Sequence, residues 1–172
     1  MIRCLPFLKT DAMIDLKFPD GAVRQVEPTA TGRDVAASIS PSLAKRAALV
    51  SINGVLRDLD RPLETGGDFR LIMRDDADAL ETIRHDAAHV LAQAVQELFP
   101  GTQVTIGPAV EDGFYYDFHR DEPFSTDDFA AIEKRMAEIV DRDEKLVREV
   151  WERDAAIAHF ESIGETFKAE LI

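Results

Sequence analysis

The stretch Ala48-Leu49-Val50-Ser51-Ile52-Asn53-Gly54-Val55-Leu56-Arg57-Asp58-Leu59 sets two apolar, β-prone runs on either side of Asn53-Gly54. Asn-Gly suits a two-residue type I′ turn, because both central residues of that turn need positive φ. An antiparallel hairpin is therefore predicted. Towards the N-terminus, residues 13–18 alternate Ile14, Leu16 and Phe18 with polar side chains, Pro19-Asp20-Gly21 supplies a turn, and residues 22–26 alternate again. Between these hairpins Thr31 stands three residues before Asp34, a capping-box pattern with Asp where Glu or Gln is usual. Val35, Ala36 and Ile39 give the apolar side of the helix so started, and Pro41 ends it. Residues 68–73 make a last strand after Gly66-Gly67. Two hairpin-like pairs around one helix within residues 13–74 predict a β-grasp fold.

Arg74-Asp75-Asp76-Ala77 is a short charged link. The unit after it reads as α+β and opens with a long helix over residues 79–99. Leu80, Ile83, Ala87, Val90, Leu91, Ala94 and Leu98 fall on one stripe of that helix. His85 and His89, one turn apart, fall on the opposite side beside Ala88 and Ala92, whose small side chains leave room for something to approach. Residues 103–110 and 114–118 read as strands around Glu111-Asp112-Gly113, with Gly107-Pro108 breaking the first. Ser125 caps a helix over residues 126–141, residues 145–151 alternate as a strand, and residues 155–163 form a short helix closed by Gly164. A further element begins at Thr166, and its apolar residues Phe167, Leu171 and Ile172 have nothing after them to cover them. The chain is therefore read as truncated. It has no internal repeat and no low-complexity tract.

The 172 residues, 45% of them hydrophobic, suit one or two small globular domains. No apolar run approaches the roughly 20 residues that span a bilayer, and residues 1–12 interrupt any signal-peptide core with Cys4, Pro6, Lys9 and Asp11. A soluble, cytoplasmic protein without a membrane partner is expected. The single cysteine, Cys4, allows no internal disulfide and has no claim to catalysis. The net charge of −13 is unevenly spread, +2 over residues 1–74 and −15 over residues 75–172. The second half is thus ill suited to gripping RNA unaided, since phosphate binding draws on clustered Lys and Arg. A polynucleotide partner would be held mainly by other protein or touched only at its end.

Taken alone, His85-x-x-x-His89 is a short pattern, equally at home on the wet face of an amphipathic helix. Two ligands are too few for a closed structural zinc site, so no metal is assigned. Alternation puts Phe114, Tyr116 and Phe118 on one face of their strand and Tyr115 and Asp117 on the other. Packing accounts for the phenylalanines, whereas the Tyr116 phenol on an otherwise buried face needs a hydrogen-bond partner, and a ligand can be that partner. Lys168, by position alone, is an ordinary surface lysine.

Together, Arg84-His85-Asp86-Ala87-Ala88-His89, Ile106-Gly107-Pro108, Asp112-Gly113-Phe114-Tyr115-Tyr116-Asp117-Phe118 and Gly164-Glu165-Thr166-Phe167-Lys168 closely resemble the N-terminal part of the bacterial threonyl-tRNA synthetases. The resemblance covers nearly the whole chain. It implies a TGS domain of β-grasp fold at residues 13–74, the first part of an α+β editing domain at residues 78–172, and an N-terminal extension at residues 1–12, with Met13 a possible true start. It implies that the editing unit hydrolyses serine wrongly attached to threonine tRNA, with His85, His89, Tyr116 and Lys168 in one pocket. Serine lacks only one methyl of threonine, and a difference of that size supports about 10- to 200-fold discrimination, so a second hydrolytic sieve is useful. Ester cleavage needs an oriented water, an imidazole to relay its proton and a cation near the developing oxyanion.

The family completes this pocket with a downstream Cys-x-x-x-His segment that does not occur before Ile172. The resemblance also implies ATP, magnesium and zinc for an aminoacylation core outside this segment, and homodimerisation through that same core. Within the segment itself no cofactor is expected. The partner implied is the acceptor end of tRNA(Thr) carrying serine. Two alternatives stand beside this reading: a free-standing trans-editing deacylase, and a non-enzymatic TGS-type binding or regulatory module. Tyr115, Asp117, His119, Trp151 and His159 receive no role.

Overall fold

The computed structural model describes residues 12–172, so Cys4 and nearly all of the expected extension at residues 1–12 lie outside the described residues. The chain divides into two compact units, one ending at Leu80 and the other beginning at Glu81.

The first unit has the expected β-grasp arrangement. Strands β1 (Ile14–Lys17) and β2 (Val23–Val26) pair antiparallel, as do β3 (Ala47–Ile52) and β4 (Val55–Asp58). Strand β5 (Gly67–Met73) joins the hairpins, parallel to β1 and antiparallel to β3, in the order β2-β1-β5-β3-β4. Asn53 and Gly54 both take positive φ, 51° and 81°, as the tight turn requires. Helix α1 (Gly32–Ile39) begins at the complete Thr31/Asp34 capping box, Asp serving where Glu is usual. Its Val35 packs with Leu16, Val50, Ile52, Leu59, Leu63 and Phe69 in the core. Pro41 does end α1, but it also opens α2 (Pro41–Arg46), with Ser40 closing one helix and capping the next. A proline at the first helical position costs nothing there, because its missing N–H would have had no partner.

The second unit contains most of helix α3 (Ala77–Leu98). Here the structure corrects the expected burial. Ala94 of the expected stripe is buried, but so are Ala88, Ala92 and Val95 outside it, whereas Leu80 and Ile83 of the stripe are 45% and 40% exposed. Small side chains let neighbouring backbone come close, so the face beside the histidines is the packed one rather than an empty approach.

The aromatic hairpin is broken into short pieces: β6 (Gln103–Val104) pairs with β9 (Phe118–His119), and β7 (Ala109–Val110) with β8 (Gly113–Phe114). Between them, Asp117 N–H donates to the Ile106 carbonyl at 3.0 Å, so the two arms stay in register across the Gly107-Pro108 break. The Arg84 guanidinium donates to the Val110 carbonyl at 3.1 Å, tying the turn of this hairpin to α3. Ser125 and Asp128 form a capping box at a 3-10 turn (Thr126–Asp128) that runs into α4 (Phe129–Asp141). Residues 145–151 are not a strand. They have no ladder partner among the described residues, and Leu146 is 96% exposed. Alternation predicts a strand only where a neighbouring edge exists to take its N–H and C=O groups. Helices α5 (Arg153–Ser162) and α6 (Thr166–Leu171) follow, separated by Gly164 at φ 80°.

Helix α4 is tied to α3 through Glu97. Its carboxylate accepts two hydrogen bonds from Arg142, both 2.8 Å, and one from Arg135 at 2.9 Å. Arg142 first, then Arg135 and Gln93, hold this carboxyl down at about 2 against an ordinary 4.5. The stabilisation is therefore complete above about pH 4.5 and is lost as pH falls towards 2. Glu97→Gln is expected to lower the thermal midpoint of the chain at pH 6, with the deficit shrinking towards pH 2.5. Melting curves followed by circular dichroism at both pH values check this.

Candidate functional site

Four turns of α3 place His85, His89, Ala92 and Gln96 on one face, at helical spacings of four, seven and eleven. The two imidazoles meet directly. Their Nε2 atoms are 3.0 Å apart, and the rings stand edge to face at 87° with centroids 4.6 Å apart. A hydrogen bond between two Nε2 atoms requires one ring to carry the proton and the other to be bare, so at least one ring of the pair is neutral.

His89 is held below the ordinary histidine value. Partial burial of its ring is the main cause, and the His85 and Lys168 charges act in the same direction against the opposing pull of Asp86. At neutral pH His89 is therefore uncharged and can accept a proton. No group of three or more His, Cys, Asp or Glu that could hold a metal ion occurs among the described residues.

Lys168 projects from α6, where its Nζ lies 5.8 Å from the centre of the Phe160 ring. It makes no ion pair among the described residues, and it reaches His89 through its field rather than by a hydrogen bond.

Tyr116 lies on the hairpin, stacked on Phe118 at 5.0 Å and 26°. Its ring covers Gly107 so closely that a Cβ there would come within 2.1 Å of Cδ2. The break in the strand is thus also the seat of the tyrosine. Burial, then the Glu165 carboxylate, raises the Tyr116 phenol above its usual range, so it remains an O–H donor at neutral pH.

The structure accordingly brings His85 and His89 into contact and sets Lys168 within electrostatic reach of them. Tyr116 feels the field of Glu165, at the start of the Lys168 helix. Gly107→Ala is expected to displace the Tyr116 ring by about 1 Å or more, since a contact of about 2 Å must open to roughly 3.4 Å or beyond. Loss of the Tyr116 to Phe118 ring-current shifts in the proton NMR spectrum checks this.

Two residues escaped the sequence reading. Gln96 donates to a Glu165 carboxylate oxygen and, at 3.4 Å, to the Thr102 carbonyl. The signal for Gln96 was present in its spacing from the histidines. Glu165 gave none, since nothing in the sequence says where a carboxylate before a short helix will turn.

A separate hollow of about 530 Å³ opens on the five-stranded sheet, lined in part by Lys17, Phe18, Ser51, Leu56 and Arg70. Its Arg70 is already paired with Asp78. The histidine face remains the better candidate.

A family model for the TGS domain matches residues 14–73, the five-stranded unit. Over 93% of its length the chain is 64% identical to the threonine-tRNA ligase of Phenylobacterium zucineum strain HLK1 and 66% identical to that of Caulobacter sp. strain K31. Its kinship is with the threonine-tRNA ligases. The ligase of Rhodospirillum rubrum is 60% identical over the same share. The chain spans about a quarter of the length of these curated relatives, 24% to 25%, and with its TGS domain it fits an N-terminal portion of such a ligase. No helix of the described residues is long and apolar enough to cross a membrane.

Proposed function

We propose that this chain supplies the TGS domain and, over residues 78–172, the opening part of the hydrolytic editing domain of a cytoplasmic threonine-tRNA ligase. The parent enzyme would charge tRNA(Thr) with threonine using ATP, and this portion would take part in removing serine. One observation carries the reading: two imidazoles in hydrogen-bond contact at 3.0 Å, one held neutral, with the Lys168 charge nearby.

In this scheme a water replaces one partner of the imidazole pair and attacks the carbonyl carbon of the seryl ester. It gives a proton to the bare, neutral Nε2, which passes it to the departing ribose oxygen. Lys168 stabilises the negative charge that develops on the carbonyl oxygen. The protonated Tyr116 phenol donates a hydrogen bond to the substrate. Before substrate arrives, His85 occupies the His89 Nε2 that the water then takes up. The partner touched is the acceptor end of tRNA(Thr), which suits the net charge of −15 over residues 75–172. ATP, magnesium and zinc would serve the aminoacylation part of the parent.

The test grafts this chain in place of the matching 165 residues of the Caulobacter sp. strain K31 relative, to which it is 66% identical. Offered serine and tRNA(Thr), the graft should accumulate no seryl-tRNA(Thr). Steady accumulation, at the level of the relative lacking the matched residues, would contradict the proposal. Hydrolysis of seryl-tRNA(Thr) by the isolated 172-residue chain would favour the trans-acting deacylase instead.

A further inference from the structure

The Glu165 carboxylate is in an unusual position for a residue just before a helix. A carboxylate there ordinarily caps the free N–H groups of the first turn. In α6 it does not: Glu165 stands at the cap with no side-chain hydrogen bond to the helix, and one of its oxygens is taken by the Gln96 amide. Its other oxygen, Oε2, is buried without a hydrogen-bond partner. Burying a carboxylate oxygen without a partner is costly. What the arrangement achieves is attachment. The same Gln96 Nε2 also donates to the Thr102 carbonyl, and the residue after Glu165, Thr166, donates to the Gln103 side chain at 2.8 Å. The chain is thus fastened at two successive residues, 165 and 166, immediately before the turn that carries Lys168. The Glu165 carbonyl then starts α6 by accepting from Ala169 N–H at 3.2 Å, and Ala169 is buried.

We infer that the contact of Gln96 with Glu165 is a positioning latch: it fixes the start of the Lys168 helix against the histidine face of α3 and so sets where the Lys168 ammonium stands relative to His89. Gln96 lies on the same stripe as His85 and His89, so one rigid helix carries both the imidazoles and the catch that places their cation. Glu165 and Gln96 are positioning residues, not catalytic ones. Their part in hydrolysis rests on the editing reading above, while the placement of Lys168 does not.

The test uses the 172-residue chain, with NMR titration of the histidine rings and hydrogen exchange of the Ala169 amide. Gln96→Glu sets two carboxylates against each other, and Glu165→Ala removes the acceptor. In both, Lys168 should swing away, the His89 midpoint should rise by about 0.3 pH unit or more, and Ala169 should exchange about tenfold faster or more. The direction is diagnostic for Glu165→Ala, because loss of a negative charge without movement would lower the His89 midpoint. The double exchange Q96E/E165Q, which again opposes an amide to a carboxylate, should restore both readings. Unchanged His89 and Ala169 in the single variants, or a folded double variant that stays as impaired as they are, would overturn the latch. In the graft, each single variant should slow hydrolysis of seryl-tRNA(Thr) while threonylation persists. If the NMR changes occur but the unsubstituted graft hydrolyses nothing, the latch stands and the editing reading fails.

Discussion

His89→Ala is expected to slow hydrolysis of seryl-tRNA(Thr) by the graft about 10²- to 10⁴-fold, the span over which a positioned acid-base group contributes. Threonylation should be unchanged, since on the proposed reading this ring serves editing alone. The effect should fall on kcat rather than KM, because the imidazole acts on the attacking water and binds little of the substrate. What makes the ring a usable base is its neutrality at pH 7. Burial is the main cause, and the Lys168 charge adds to it. The rate in the unsubstituted graft should thus rise with pH through a midpoint below the ordinary 6.5 and be level by pH 7. Lys168→Ala should move that midpoint upward, since a cation disfavouring protonation has gone, and should lower the plateau as well. Single-turnover hydrolysis measured between pH 5 and 8 separates these effects.

Phe69→Ala is expected to unfold the five-stranded unit. Phe69 is 2% exposed, lies on the strand that joins the two hairpins, and meets the Phe18 ring at a centroid distance of 5.0 Å. Truncating a buried Phe costs about 3–5 kcal/mol through lost transfer energy and the cavity left behind. A unit of this size has only about 3–9 kcal/mol of stability in all, so the loss takes most of it. The position is especially sensitive because, among the described residues, β5 is the strand paired with both β1 and β3. Removing its core side chain loosens both hairpins at once. Amide exchange of residues 14–73 in the 172-residue chain should become fast, whereas a conservative Phe69→Leu should retain most of the protection.

The first unit was legible in the sequence because each of its decisions is local. Asn53-Gly54 dictates a turn whatever surrounds it, Thr31 and Asp34 close a capping box within one turn, and period-two alternation chooses the faces of β1 and β3. Only α2 was missed, since Pro41 is read as a stop more readily than as a first residue. The second unit turned on contacts far apart in sequence, and there local pattern was a weaker guide. Counting large apolar residues placed the buried face of α3 too far from the histidines: Ala94 of that stripe is buried, but Leu80 and Ile83 are exposed while Ala88 and Ala92 are buried. Residues 145–151 alternate like a strand, yet their pattern has no edge to pair with among the described residues.

The site divides in the same way. The contact of His85 with His89 follows from helical spacing alone. Lys168 and Tyr116 entered through resemblance to a family, and their surroundings become physical only with the fold: Gly107 under the tyrosine ring, and Glu165 on Gln96. Neither pairing is separated by fewer than nine residues, so no periodicity could announce it.

The most direct test of the account offers the graft preformed seryl-tRNA(Thr) and threonyl-tRNA(Thr) side by side, in single turnover at pH 7.5, before and after replacing both His85 and His89 by alanine. The account predicts rapid release of serine, retention of threonine, and loss of serine release in the double variant. Equal release of serine with and without the imidazole pair would contradict it.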